Sequence, residues 1–580
     1  MATRYDVSAV PPQGGYVAKQ CPVRAQWDTI APCEPRPDSP AVASRKHDGL
    51  VFEEEIVTAL LAAHPDAGVM PGFPAAPADP ADREELTRAA MTAGVPVIIG
   101  GRLPADLTGR RVGLPDVLVA AAGGGYRAVD IKHHRCLDPA PPGPGSPAAL
   151  LAPLASPWLE NAAGDQPFTV RRHRDDLLQL AHYQRMLEAA GFAAGDGRRY
   201  GGIIGVDSVV VWHDLDAPQL RTPAAGGGVK TRSAMAVYDF EFDFRLDIIA
   251  VAAQSRQDPA VRPLLVPVRI GECGECPWWP ACEPALEAGS GDVSLLPGVG
   301  WRDWRVHRDH GITSRAELAA LDHAAAVTAG GYQDRPMRAL PEQIDLARAA
   351  LGPAAVYRRR GVGLVTVPRG DVEVDIDMEN TAAGTYLWGA LVTLRGRAPA
   401  TLRGAAPEGL CRAGYRGFAS FEPMTAGLEA AIFAEFWDWL TGLRAAAATA
   451  GLPMRCYCYN ASAENSQLRR LSAGTDRAAG VAAFIASDQW TDLYRVVTSQ
   501  LITGGSLGLK RVAPIAGFGW EVDDPGGDVS MLRYAAAVHG DQAAADWLLT
   551  YNRNDTEATL ALRDWLERSA SDCPSIADAR

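Results

Sequence analysis

Helical and strand-like hydrophobic patterns alternate along residues 1–285, lapse, and resume near residue 361. This doubled alternation limits the chain most. A single hydrophobic core stops growing at roughly 250–300 residues, so 580 residues patterned this way must close around two cores. Each stretch mixes helices and strands, which predicts an α/β multidomain protein. With 47% hydrophobic and 22% charged residues, the composition suits globular domains and excludes wholesale disorder. No apolar run reaches the roughly 18–20 residues of a membrane span. The first residues, MATRYDVSAVPPQGGY, lack a basic stretch followed by an apolar one, so the chain is expected to remain in the cytoplasm with no membrane partner. A net charge of −13 disfavours a protein that coats nucleic acid through bulk positive charge. It leaves open an enzyme whose carboxylates hold divalent metals. Ten cysteines are too few for a disulfide scaffold.

The first stretch predicts a helix over 48–63, strands over 111–121 and 126–134 joined by a turn at Gly123–Gly125, and a helix over 174–190 stopped by Gly191. Strands are expected at 202–212 and 236–244, and residues 135–168 form a Pro-rich insertion. AAGGGVKT at 224–231 lacks both glycines that a phosphate-binding loop requires, because Ala224 and Val229 stand in their places; a hairpin turn is the reading. Asp130 and Lys132 are two apart on a strand and share a face. Pairing across the glycine turn brings Asp116 beside them. Two carboxylates and a lysine at a sheet edge suit a hard divalent cation and a phosphate. Glu53 lies on the preceding helix, with Glu54 beside it and His47 as an alternative ligand. Gln179 and Tyr183, four apart, share one helical face. Cys21 precedes this constellation and Cys273-x2-Cys276-x5-Cys282 follows it.

Together these residues resemble the RecB-like PD-(D/E)XK nucleases, of the kind whose four cysteines hold a 4Fe–4S cluster. The resemblance implies a restriction-endonuclease-like core over residues 1–288. It implies catalytic roles for Glu53, Asp116, Asp130, Lys132, Gln179 and Tyr183, with Glu53, Asp116 and Asp130 on the metal. It also implies that Cys21, Cys273, Cys276 and Cys282 ligate the cluster. Thiolates suit iron–sulfur, zinc is the physical alternative, and Cys33 is the alternative outlying ligand.

In the second stretch, VEVDIDMEN places acidic residues at 373, 375, 377 and 379 along one strand face. Glu464 falls four after Asn460 at the head of a helix, and Asp555 four after Tyr551 on another. Carboxylates from one strand and two distant helices can bind two metals for in-line phosphodiester displacement. The pattern resembles the RNase H-like DEDD exonucleases of the tyrosine subtype over 365–572. That resemblance assigns Asp377, Glu379, Glu464 and Asp555 to Mg2+ or Mn2+ and Tyr551 to the attacking water. Glu464 stands where the family has aspartate. Asp375-Ile376-Asp377 is an alternative register, and Asp492 is either an auxiliary carboxylate or a cap.

Between the two, LLPGVGWRDWRVHRDHGITS resembles a helix-hairpin-helix module over 289–335, with Arg302, Arg305 and Arg308 available to a phosphate; residues 336–364 read as a linker. The order of modules is similar to a predicted bacterial RecB-like nuclease family with a C-terminal RNase H-like domain. It implies a metal-dependent nuclease that hydrolyses phosphodiester bonds in DNA exonucleolytically, with two potential active sites and RNA as a further partner. The alternative is a nucleic-acid-binding scaffold whose sites have decayed.

Overall fold

The computed structural model describes residues 3–70, 79–138, 149–164, 168–224, 228–381, 383–405, 410–523 and 526–579. Chain contacts divide it into two compact units, residues 1–267 with 272–282, and residues 268–271 with 283–580.

In the first unit α1 (Pro22–Ile30) and α2 (Pro40–Ala63) precede the strands β1 (Gly68–Val69), β2 (Val97–Ile99), β3 (Val117–Ala120), β4 (Tyr126–Ile131) and β5 (Leu150–Pro153). Then come α3 (Arg174–Ala190), β6 (Tyr200–Ile204), β7 (Val209–Asp214) and α4 (Ala234–Gln257). Among the described residues the sheet has seven strands in the order β1-β2-β3-β4-β6-β7-β5, and β4 runs parallel to β6. Both faces are covered, which explains the near-continuous apolar runs. Val117, Val119, Val129 and Ile131 pack with Ile56, Val57 and Leu60 of α2, while Leu118, Tyr126 and Ala128 meet Tyr183, Met186 and Leu187 of α3. The β3–β4 hairpin turns at three glycines as expected. Gly125 has φ 75°, and a Cβ there would lie 2.1 Å from the Ala193 carbonyl oxygen, so only glycine fits. Helix α3 ends at Gly191, with φ 74°.

The strand expected at 236–244 is instead part of α4. Its aromatic residues alternate locally, but within 236–244 the buried ones are Val237, Tyr238 and Phe242, a helical spacing that leaves Phe240 exposed. Burial along the whole 24-residue helix overrides the short period-2 pattern. Antiparallel strands 220–223 and 229–232 flank the segment at 224–231, whose residues 225–227 lie outside the described ones. So do 139–148 and 165–167 of the Pro-rich insertion.

The second unit begins with α5 (Trp301–Asp309), α6 (Arg315–Ala319) and α7 (Leu340–Leu351). The Pro-Gly-Val-Gly turn at 297–300 follows a 3-10 turn, Val293–Leu295, and leads into α5. Val299 is buried with Leu340, Ile344, Ile502 and Ile576. Next are β8 (Val372–Asn380), β9 (Thr385–Leu394), β10 (Gly414–Ala419), α8 (Ala426–Thr449), β11 (Met454–Cys458), α9 (Ser462–Ser472) and β12 (Trp490–Asp492). They are followed by α10 (Leu493–Gln500), α11 (Leu509–Val512), α12 (Gly527–Val538) and α13 (Gln542–Arg568). The mixed sheet has the order β10-β9-β8-β11-β12, with β8 antiparallel to β9 and parallel to β11. Central β8 sorts its residues by parity. Val372, Val374 and Ile376 enter a core with Phe433, Phe436 and Leu440 of α8, where Trp388 stacks on Phe436 at 4.7 Å. Glu373, Asp375, Asp377 and Glu379 take the other face, where bonds to α12 and α13 meet them.

Candidate active site

In the first unit the hairpin does what its spacing predicts. The Ile131 amide donates to Asp116 Oδ2 at 2.7 Å, and Lys132 Nζ lies 2.5 Å from Asp130 Oδ2. Asp130 is wholly buried, and among the described residues its Oδ1 has no hydrogen-bond partner. Burial and Asp130 hold the Asp116 carboxyl well above the usual range. Burial works against the Lys132 ammonium, but Asp130 and Asp116 outweigh it and keep its pKa above the ordinary lysine value. Glu53 of α2 is raised by burial and feels both Lys132 and Asp130, so the helix does bring it to this group; Glu54 and His47 are exposed. On α3, Gln179 Nε2 donates to the Tyr183 hydroxyl at 2.8 Å, and that hydroxyl donates to the Leu114 carbonyl at 3.0 Å, two residues before Asp116. The Gln–Tyr pair thus fixes the approach to Asp116. Lys19, absent from the expectations, donates to Gln179 Oε1 at 2.6 Å. No short motif surrounds it.

Cys21, Cys273, Cys276 and Cys282 lie in the same unit and act on one another electrostatically. Cys21, Cys276 and Cys282 are each raised by burial and each feels the charge of Cys273; Cys21 reaches about 11. The Cys21 amide donates to Glu272 Oε2 at 3.0 Å, and Trp27 Nε1 donates to Cys282 Sγ at 3.2 Å. Cys33 is exposed but also acts on Cys282. Four soft thiols from both ends of the unit suit iron–sulfur or zinc by donor type, but among the described residues no three of their sulfurs gather within 4.8 Å of one another.

The second unit holds the tighter group. Oxygens of Asp377 and Glu379 on β8 and Asp555 on α13 all lie within 4.8 Å of one another. Burial, then Asp555 and Glu379, keep Asp377 well above the usual carboxylate range, and Glu379 is pushed up to about 8 by burial and Asp555. Glu464, in the first turn of α9, is 5% exposed, and its Oε2 is buried with no hydrogen-bond partner among the described residues. Burial, with Asp492 adding, raises it to about 7, and its charge reaches Asp377. An all-oxygen donor set that crowds negative charge in this way fits a hard divalent cation.

Asp375 is not part of this group. Its partners are Arg563 and Thr559 of α13, and Arg563 also meets Glu373 Oε2 at 3.1 Å. The alternative register is therefore corrected: an arginine already neutralises that position. Asp492 caps α10 through the Tyr494 amide at 3.0 Å and accepts from the Asn460 amide at 3.0 Å.

Four further residues complete the site. Asn552 Nδ2 donates to Asp377 Oδ2 at 2.7 Å, and Ser530 Oγ donates to Glu379 Oε2 at 3.0 Å. Trp520 Nε1 donates to Asp555 Oδ1 at 2.7 Å. Lys510, on α11, donates to Asp555 Oδ1 and to the Tyr551 hydroxyl, both at 3.0 Å. Asn552 had a signal, since it sits inside the Tyr551–Asp555 motif. Lys510, Trp520 and Ser530 come from elements with no motif of their own.

Residues 444–567 match a family model described as the RNase_H superfamily. No curated protein and no solved structure matches the chain. The matched segment contains Glu464, Tyr551 and Asp555; Asp377 and Glu379 precede it on the neighbouring strand of the same sheet. The mixed sheet and its covering helices are consistent with an RNase H-like domain, and that domain suggests a nuclease acting on nucleic acid.

Proposed function

We propose that the second unit hydrolyses phosphodiester bonds exonucleolytically, with DNA as the main substrate and RNA as the other polymer to be tested. The observation that supports it most is the mutual approach of the Asp377, Glu379 and Asp555 oxygens within 4.8 Å. These residues, with Glu464, would hold Mg2+ or Mn2+. Such ions, when bound, polarise the phosphoryl oxygen and make water nucleophilic near neutral pH. The chain's own groups set the geometry. Asn552 and Ser530 each fix one oxygen of Asp377 and Glu379, and Trp520 fixes one of Asp555. Tyr551, one helical turn before Asp555, is placed to orient the attacking water. Lys510 supplies a positive charge beside the site where a phosphate's charge would develop.

The first unit supplies a second nuclease site in this reading, with Glu53, Asp116 and Asp130 on the metal, Lys132 at the phosphate, and Gln179 and Tyr183 holding the strand entry. A 4Fe–4S cluster on Cys21, Cys273, Cys276 and Cys282 would join the two ends of that unit. The exposed Arg302, Arg305 and Arg308 of α5 would add phosphate contacts.

The test is degradation of end-labelled single- and double-stranded DNA and of RNA by the full chain with Mg2+ or Mn2+. Asp377→Asn with Asp555→Asn is expected to remove exonucleolytic trimming by the second unit, and Lys132→Ala with Asp116→Ala to remove the remaining cleavage. Loss of one electrostatic stabiliser commonly costs on the order of 100–1,000-fold in rate. If neither pair lowers cleavage, both assignments fall. Nucleic acid bound but never cut would favour the scaffold.

A further inference from the structure

Just past Lys132 the first unit carries a histidine cluster that the nuclease reading does not use. We propose that His134, His173 and Asp176 form a binding site for a borderline transition-metal dication such as Zn2+. One ligand atom from each lies within 4.8 Å of the others. His134 follows β4, His173 is the N-cap of α3, and Asp176 lies in the first turn of that helix. The two imidazole rings are 3.9 Å apart between centroids, tilted by 35°.

The tautomers follow from one carbonyl. His134 Nδ1 lies 3.3 Å and His173 Nε2 3.4 Å from the Arg135 carbonyl oxygen, which can only accept. Each of those nitrogens therefore carries a proton. Each partner nitrogen, His134 Nε2 and His173 Nδ1, is left as the potential ligand. A ring held through its other nitrogen by a backbone carbonyl is the usual support of a metal-bound imidazole. His134 Nε2 faces Asp176 Oδ2 at 2.9 Å. A lone pair cannot face a carboxylate at that distance, so either a proton or a metal stands there. One further group favours the metal. His213 is 7% exposed, makes no hydrogen bond through its ring among the described residues, and feels the charges of Asp176 and His173. Two imidazoles and one carboxylate select Zn2+, Co2+ or Ni2+ over Mg2+. The ion would tie the residues just after Lys132 to the helix that carries Gln179 and Tyr183.

Full-length protein stripped with a chelator is titrated with Co2+ as the visible probe, in excess Mg2+ to saturate the all-oxygen sites. Difference spectra against variants cancel any cobalt on the cysteines. Wild type is expected to bind one more equivalent than His173→Gln or Asp176→Asn, whereas Arg172→Gln matches wild type. His173→Gln changes a helix cap at the surface, so its fold is checked by far-ultraviolet circular dichroism alongside. Equal stoichiometry in wild type and both folded variants overturns the site and leaves a protonated His134–Asp176 ion pair.

Discussion

Glu379 sets how the second unit responds to protons. Its folded pKa of about 8 lies above the ordinary glutamate value near 4.3, so between those limits the folded state binds more protons than the unfolded. The metal-free protein is therefore expected to lose stability as pH rises from about 5 through 8. Glu464, at about 7, adds in the same direction. Mg2+ should abolish this loss, and its affinity should climb over the same interval because binding releases the protons. Thermal melts with and without Mg2+ across pH check both signs; a flat metal-free profile contradicts them. Gly389 makes a second residue-scale prediction. It pairs with Asp377 across β8 and β9, and a Cβ added to it would sit 1.6 Å from Asn552 Oδ1. Gly389→Ala must push Asn552 off Asp377. A loss of stability of roughly 1–3 kcal/mol is expected from overpacking, with metal-dependent cleavage lowered about as far as in Asn552→Ala. Full activity in Gly389→Ala would show that Asn552 does not position Asp377.

At the level of elements, the contact between β8 and α13 rests on a buried charge group. Arg563 is wholly buried, meets Glu373 and Asp375, and lies over the Tyr457 ring at 4.1 Å. Arg369 adds a second cation, donating to Glu373 Oε1 at 2.8 Å. Removing one partner of a buried ion pair commonly costs about 3–5 kcal/mol, because the other charge stays behind unpaired. Arg563→Met is expected to reach that range in urea unfolding. The same variant with Asp375→Asn should recover part of the loss. No recovery in the double variant would mean that packing against Tyr457, and not charge, carries the effect. The helix matters for function as well, since the arginine fixes α13 along the strand and thereby sets where Tyr551 and Asp555 meet Asp377.

For the whole molecule, two cores imply two separable responses. If the four cysteines hold iron, anaerobically purified protein is brown with about four irons per chain. Cys276→Ser should then bleach it and lower the melting of the first unit while Mg2+-dependent trimming at Asp377 persists; stoichiometric zinc without iron would replace the cluster by a zinc site. The sequence by itself determined a good deal here. Period and punctuation placed α3 to the residue and the β3–β4 hairpin at its glycine turn, because local propensity, caps and core burial agree there; the strands expected at 111–121 and 126–134 are shorter, at Val117–Ala120 and Tyr126–Ile131. Acidic alternation on β8 and the i, i+4 spacing of Tyr551 and Asp555 also marked the carboxylates, because a strand and a helix impose fixed faces. Tertiary structure decided the rest. It turned 236–244 into helix, since burial along 24 residues outweighs four alternating aromatics. It separated Asp375 from Asp377, because only the fold shows which carboxylate Arg563 neutralises. It added Lys510, Trp520 and Ser530 to the site, and gathered His134, His173 and Asp176. Such groups meet through chain crossings tens of residues long, and no local period records which distant side chain fills the space beside a buried charge.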